Sequence, residues 1–368
     1  MLIRGLLAGC LLATLLLPTP ASAADNQEYW SFQEYLATFP KQRHLFELFS
    51  KRVRNPAQPL MVPAGNPVKI AMIYPGEQVS DYWHRSQQSF TSRLQEVGVR
   101  YTLESHFFRP DTELREQERQ IAKALESNPD YLIFTLDAQR HRVLIEKIMV
   151  RGRPKLILQN ITTPLKRWGT HQPFFYVGFD HGEGTRLLTE AIKETTGGQA
   201  NYLMLYGTQG YVSMARGDEF IRLTSKLPGF IQRQAFYTDV NREKSTRAVL
   251  QAMATNPDIN LIYACTTDIA IGAIDALKIL GKEGEVVLNG WGGGSAELDA
   301  LAQGSLDLTV MRMNDDNGVA MAEAIRLDLE GNTGQIPLVY SGDFVVIHKD
   351  TPTAELERLK SYAFRYSK

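Results

Sequence analysis

The 368-residue chain carries 40 basic and 41 acidic side chains, a formal net charge of −1, and is 43% hydrophobic and 10% aromatic. That balance excludes a polyanion-binding protein, and no basic run marks a nucleic-acid face. Cys10 and Cys265 are the only cysteines, which excludes a disulfide scaffold; an apolar core must hold the fold, and the length suits two domains of ordinary size.

Residues 1–23 read as a secretory signal peptide, with a basic start at Arg4, an apolar run, a Pro-containing polar end and the small-residue site Ala21-Ser22-Ala23. The run is short for ~30 Å of hydrocarbon, so cleavage near Ala23 or Ala24 is expected in place of a retained span, with no direct membrane insertion. Leu7-Ala8-Gly9-Cys10 has the form of a lipoprotein site, but few apolar residues precede it and the run continues past it, which disfavours lipidation. Cleavage leaves Cys265 as the sole cysteine.

Residues 25–66 form an aromatic-rich extension. Phe32, Tyr35 and Phe39 fall at helical spacing, as do Leu45, Phe46 and Phe49, predicting two short amphipathic helices. A belt packed on the main body is preferred to a free partner-binding arm. Pro56, Pro59, Pro63 and Pro67 then predict an extended linker.

From Pro67 strands and helices alternate. Strands are predicted at 68–74, 100–105, 130–136 and 155–159, separated by helices whose inner faces carry Phe90, Leu94 and Val97, then Leu114, Ile121 and Leu125, then a helix around 140–149. After the strand at 174–179 the plan repeats. Helices at 181–196, 213–226, 243–255 and 268–279 alternate with strands at 202–206, 235–238, 261–264 and 285–288. A strand at 306–311, a helix at 318–329, a strand at 344–347 and a helix from about Thr353 complete the chain. Strict alternation predicts the α/β class, two doubly wound parallel sheets with right-handed crossovers, and a cleft between two lobes as the natural binding place.

Enzyme signatures are scarce. The seven histidines form no helical i,i+4 metal pair, and Cys265 has no second cysteine with which to share zinc. Gly292-Gly293-Gly294-Ser295 lacks the phosphate-loop lysine and the nucleophile-elbow spacing, so it reads as a tight turn into a helix. Asp315-Asp316 reads as a favourable helix start rather than an acid/base pair.

Polar and aromatic residues placed just past strand ends form a more coherent set, because open α/β sheets bind ligands there. Gln78, Ser80 and Trp83 follow the first strand, Asn160 the fourth, and Thr267 and Trp291 later ones. Each has a plain structural reading: Ser80 and Thr267-Asp268 as helix caps, Trp83 as a packed aromatic, Asn160 as a loop anchor. Their shared position favours ligand contact. Arg216 and Arg312 add a charge preference, since a buried guanidinium must find acceptors, either internal carboxylates or an anionic, oxygen-rich ligand.

These residues lie in motifs that carry a resemblance: PGEQVSDYW at 75–83, LILQNITTP at 156–164, YVGFDH at 176–181, RGDEFI at 216–221, YACTTD at 263–268, NGWGGGSAELDA at 289–300 and TVMRMNDD at 309–316. In order, and with the aromatic segment 29–49, they resemble the LuxP family of type I periplasmic binding proteins, related to ribose-binding proteins. The resemblance implies three interlobe crossings, near 175–180, 309–313 and 340–344. It divides the chain into an N-terminal lobe of 67–176 and 313–340 and a C-terminal lobe of 177–310 and 344–368. It implies a periplasmic, non-enzymatic receptor for the quorum-sensing signal autoinducer-2, a furanosyl borate diester, with boron as part of the ligand and no further cofactor.

Carried over by motif, Gln78, Ser80, Trp83 and Asn160 contact the ligand from one lobe, Arg216, Thr267 and Trp291 from the other, and Arg312 from the hinge. Two arginines suit a borate anion better than a neutral sugar. Glu77 departs from the commonest pattern and is expected to point away. A LuxQ-type sensor kinase is the implied partner, reading lobe closure. The alternatives are a sugar receptor of an ABC transporter and, less favoured, a carbohydrate-active enzyme, for which no acid/base pair stands out.

Overall fold

The computed structural model describes residues 28–62, 65–109, 114–135 and 139–368. The signal segment with Cys10, the linker's Pro63, Leu136 and the side chains of Leu114 and His141 lie outside the described residues.

Two six-stranded sheets repeat one plan. Strands β1 (Val68–Tyr74), β2 (Tyr101–Phe107), β3 (Tyr131–Thr135), β4 (Lys155–Gln159) and β5 (Phe175–Phe179) join β11 (Val339–Gly342) in the order β11-β5-β4-β3-β1-β2. Strands β6 (Ala200–Tyr206), β7 (Phe230–Tyr237), β8 (Leu261–Ala264), β9 (Val287–Gly292), β10 (Leu308–Arg312) and β12 (Phe344–His348) give β12-β10-β9-β8-β6-β7. The first sheet is parallel throughout. In the second, β12 pairs antiparallel with β10, a departure from the all-parallel expectation. The reason is topological: β12 follows directly from β11 in the other lobe, with no crossover helix to turn the chain.

β11 is not among the predicted strands, because only 344–347 reads as a continuous apolar run, with Ser341, Gly342 and Asp343 before it. The segment changes sheet at Asp343, its first half pairing with β5 and its second with β10. The chain therefore passes between lobes after β5, after β10 and after β11.

Burial explains the strand composition. Ile70, Met72 and Tyr74 face one layer of the first lobe and Ala71 and Ile73 the other, all nearly inaccessible, so this strand needs apolar residues on both sides. The extension forms the two expected helices, Phe32–Thr38 and Pro40–Arg54, the first opened by a capping box between Ser31 and Glu34. Phe49 and Val53 are buried in one core layer and Phe32, Tyr35 and Leu36 in another, which makes the extension a belt on the first lobe. No helix among the described residues is long and apolar enough to cross a membrane.

The last five residues return from the C-terminal helix Thr353–Ala363 to the helix Asp315–Leu329. The Asp315 carboxylate accepts bonds from the Tyr366 and Ser367 amides (2.6 and 2.9 Å) and the Ser367 hydroxyl (2.6 Å). Asp315-Asp316 does open its helix, and Asp316 pairs with Arg365 at 2.7 Å. Ser367→Ala should lower stability by about 1–3 kcal/mol, the usual scale for a hydrogen bond to a buried charge; an unchanged urea midpoint would refute this role of the tail.

Candidate ligand-binding site

The carboxyl ends of both sheets face each other across a cavity of about 90 Å³. At ~10–15 Å³ per water that is room for roughly half a dozen or more, which suits one compact molecule and not an oligomer. The wall contains all eight residues singled out from the sequence, Gln78, Ser80, Trp83, Asn160, Arg216, Thr267, Trp291 and Arg312. Thr135, Tyr82, Ser213 and Thr266 also line it. Thr135 is the last residue of β3, but the strand was expected to run to 136, so the rule that selected Asn160 passed over it. Glu77 does not line the cavity; it is exposed beside Arg109, 3.7 Å away.

Arg216 lies in a π-helical turn, Met214–Asp218, between the short helices Tyr211–Ser213 and Glu219–Thr224. Such turns insert an extra residue and re-aim side chains. Its Nη1 donates to the Cys265 carbonyl (2.8 Å), its Nε to His181 Nδ1 (3.2 Å), and the guanidinium lies 3.5 Å over the Trp291 ring. Burial, then the charge of Arg312, bring its pKa down to about 9, still above neutral pH. Arg312 stands 4.0 Å over the Tyr82 ring, and its buried Nε has no partner. Burial lowers its pKa too, with Tyr82 opposing.

Neither guanidinium has a carboxylate within 4.0 Å among the described residues. The buried Glu297 is committed elsewhere, accepting from the Thr267 and Thr309 hydroxyls (2.6 and 2.5 Å) and the Trp291 and Gly293 amides (3.0 and 2.8 Å). Thr267 thus spends its proton on Glu297 and offers the cavity an acceptor. No local pattern marks Glu297, whose oxygens serve the Gly-rich turn that carries Trp291. Gly292, at φ +136, is needed there: a Cβ would lie 2.6 Å from Arg312 Nη2.

Asn160 adopts φ 65, and its buried Oδ1 has no partner. A Cβ on Gly178 would come within 2.9–3.1 Å of the backbone at Asn160 and Ile161, so only glycine lets β5 pass beneath this turn. The Asn160 carbonyl faces His181 Nε2 at 3.2 Å. Because an arginine Nε can only donate and a carbonyl can only accept, His181 is the neutral tautomer with the proton on Nε2.

Burial, then Arg216, hold the His181 pKa well below its ordinary 6.5. The unfolded chain binds this proton below about pH 6.5 and the folded protein does not, so stability should fall between pH 6.5 and 5 by up to ~1.4 kcal/mol per unit. His181→Gln should flatten that slope in thermal melts; parallel pH profiles would refute the assignment.

The loop before helix Tyr82–Glu96 departs from its expected role. Ser80 does not cap that helix; Asp81 stands at the N-cap without a side-chain cap bond. Likewise Thr266 precedes the helix Thr267–Leu280, and neither Thr267 nor Asp268 caps it. Contacts across the cleft take precedence. Asp268 accepts from the Val79 and Ser80 amides (2.8 and 3.3 Å), and Asp81 accepts from the Ser295 hydroxyl (2.8 Å) and amide (3.3 Å) of the opposite lobe. Gln78 bonds the Pro75 carbonyl, and Trp83 packs on Tyr74 and Tyr82. Asp268→Ala should weaken ligand affinity by about tenfold through lost closure, equivalent to one or two such bonds; unchanged affinity would show that the latch does not contribute.

A family described as periplasmic binding protein domain matches residues 70–333. Among solved structures, an ABC transporter solute-binding protein of Agrobacterium vitis bound with α-D-tagatopyranose is 17% identical, with a TM-score of 0.70 over 79% of this chain and 98% of that one. Another from Actinobacillus succinogenes, with bound D-allose, is 22% identical, with a TM-score of 0.67 over 80% and 100%. A fructose-binding periplasmic domain of a hybrid two-component system is 20% identical, with a TM-score of 0.68 over 80% and 94%. At these identities the likeness establishes the fold.

Proposed function

We propose, from the premise that this chain belongs to the periplasmic binding protein domain family, that it is a periplasmic receptor for one compact, oxygen-rich anion held between the lobes. The observation that carries this reading is the pair of buried guanidiniums, Arg216 and Arg312, without a carboxylate partner among the described residues. An anionic ligand relieves both at once through charge-assisted bonds. The furanosyl borate diester form of autoinducer-2 has this chemistry, with boron supplied as part of the ligand. Gln78, Ser80 and Asn160 then bond its oxygens from one side and Thr267 accepts from one of its hydroxyls on the other, while Trp83 and Trp291 wall it. Contacts from both lobes are complete only when they close, so binding shifts the population toward closure. A LuxQ-type sensor kinase is the partner that would read that shift.

The relatives favour a second reading at least as strongly. The Agrobacterium and Actinobacillus proteins are transporter components with sugars bound, which supports a sugar receptor of an ABC transporter. The fructose-binding relative belongs to a two-component system, so the fold serves signalling proteins as well. In neither reading does the protein transform its ligand.

Calorimetric titration with the autoinducer-2 precursor in boron-depleted buffer, with and without boric acid, separates the two. Boron-dependent binding, weakened roughly ten- to a hundredfold by Arg216→Ala or Arg312→Ala, is expected. Tight binding of D-allose or D-tagatose that ignores both boron and the arginines would establish the sugar reading instead.

A further inference from the structure

We infer that His181 is the positioning residue that holds Arg216 in place with its positive charge intact, joining the two lobes at the ligand site. The inference rests on the reading of Arg216 as a ligand contact. His181 opens the helix His181–Thr195 immediately after β5, at the first passage between lobes. It is fully buried. One ring nitrogen donates to the Asn160 carbonyl in the first lobe, and the other accepts from Arg216 in the second. The ring also lies 5.2 Å from Trp291 and 5.7 Å from Tyr211, centroid to centroid. Three wall residues, Asn160, Arg216 and Trp291, therefore meet on one imidazole.

The choice of acceptor matters chemically. A buried arginine is most simply satisfied by Asp or Glu, but a carboxylate at position 181 would neutralise the guanidinium and compete with an anionic ligand for it. A neutral imidazole satisfies Nε, as the Cys265 carbonyl satisfies Nη1, and neither cancels the charge. Among the described residues Nη2 makes no bond and is a donor free for a ligand. The same ring bonds the carbonyl of Asn160, whose Oδ1 is unpartnered, so the donor from one lobe and the amide from the other are set against a common reference.

The test compares three variants by titration with the autoinducer-2 precursor and boric acid, using D-allose as a neutral probe. His181→Gln offers an amide oxygen to Arg216 and an amide N–H to Asn160, and should bind within about threefold of the unaltered protein, since both hydrogen bonds are replaced. His181→Leu removes both and should bind at least about tenfold more weakly. His181→Glu keeps an acceptor but cancels the charge, and should lose the boron-dependent increment; it carries the test should the Leu variant fail to fold. In an Arg216→Ala background His181→Leu should add less than about threefold, because the two residues act as one unit.

Normal boron-dependent binding by His181→Glu, or a His181→Leu loss that adds in full to that of Arg216→Ala, would overturn the inference. If Arg216→Ala alone changes binding of neither probe, the site reading itself fails, and that outcome is distinct from a failure confined to His181.

Discussion

Two cations share a buried cavity whose described lining holds no carboxylate, and much of the surrounding architecture follows from making that tolerable. Desolvating one guanidinium costs several kcal/mol even after relaxation, and a like charge nearby adds to it. The protein offsets this with aromatic faces, Trp291 under Arg216 and Tyr82 under Arg312. Such contacts contribute about 2 kcal/mol when shielded from water. Neutral acceptors supply the rest of what Arg216 receives, whereas Arg312 keeps a buried Nε unsatisfied. The wall is drawn from both lobes, so parting them readmits water and solvates the charges. Bringing them together without a counter-charge is correspondingly unfavourable. Ligand charge and lobe position are thereby energetically linked.

The treatment of negative charge nearby is the reverse. Glu297 is as deeply buried as the arginines, yet four donors surround it. Its carboxylate fixes the turn that presents Trp291 and orients the hydroxyl of Thr267. One ion is fully satisfied and rigidifies the second lobe; the other two are left partly satisfied and face the cleft. That contrast separates a structural charge from one available for recognition.

Much of this was legible in the sequence because parallel α/β sheets impose two strong rules. Buried strands read as apolar runs, and ligand residues collect at their carboxyl ends. β1, β4 and β8 have the expected boundaries, and the six residues chosen by strand-end position, with the two arginines added for their charge, line one cavity. What escaped depends on contacts that no local pattern encodes. In the stretch that holds β11 and β12, Ser341, Gly342 and Asp343 leave too short an apolar run before them to mark β11 as a strand, and the family resemblance, not periodicity, put a crossing near 340–344. Ser80 and Asp268 have the composition of caps, but amides and hydroxyls across the cleft take the available carboxylates instead. His181 was considered only for helical metal pairing. Its actual partners lie 21 and 35 positions away, beyond any periodicity. The π-helical turn at Arg216 likewise has no compositional signature.

The chain's end adds a constraint on how the molecule moves. Leu359 and Ala363 of the final helix are buried in the second lobe's core, whereas Tyr366 packs with the first and its amide is bound by Asp315. Arg85 of the first lobe stacks 3.9 Å over Phe364 and bonds the Ser367 carbonyl. These few residues form a strap beside the three strand crossings. A twisting separation of the lobes would shear the strap, whereas simple bending about its line would leave it nearly unstretched, so the swing is channelled toward one axis.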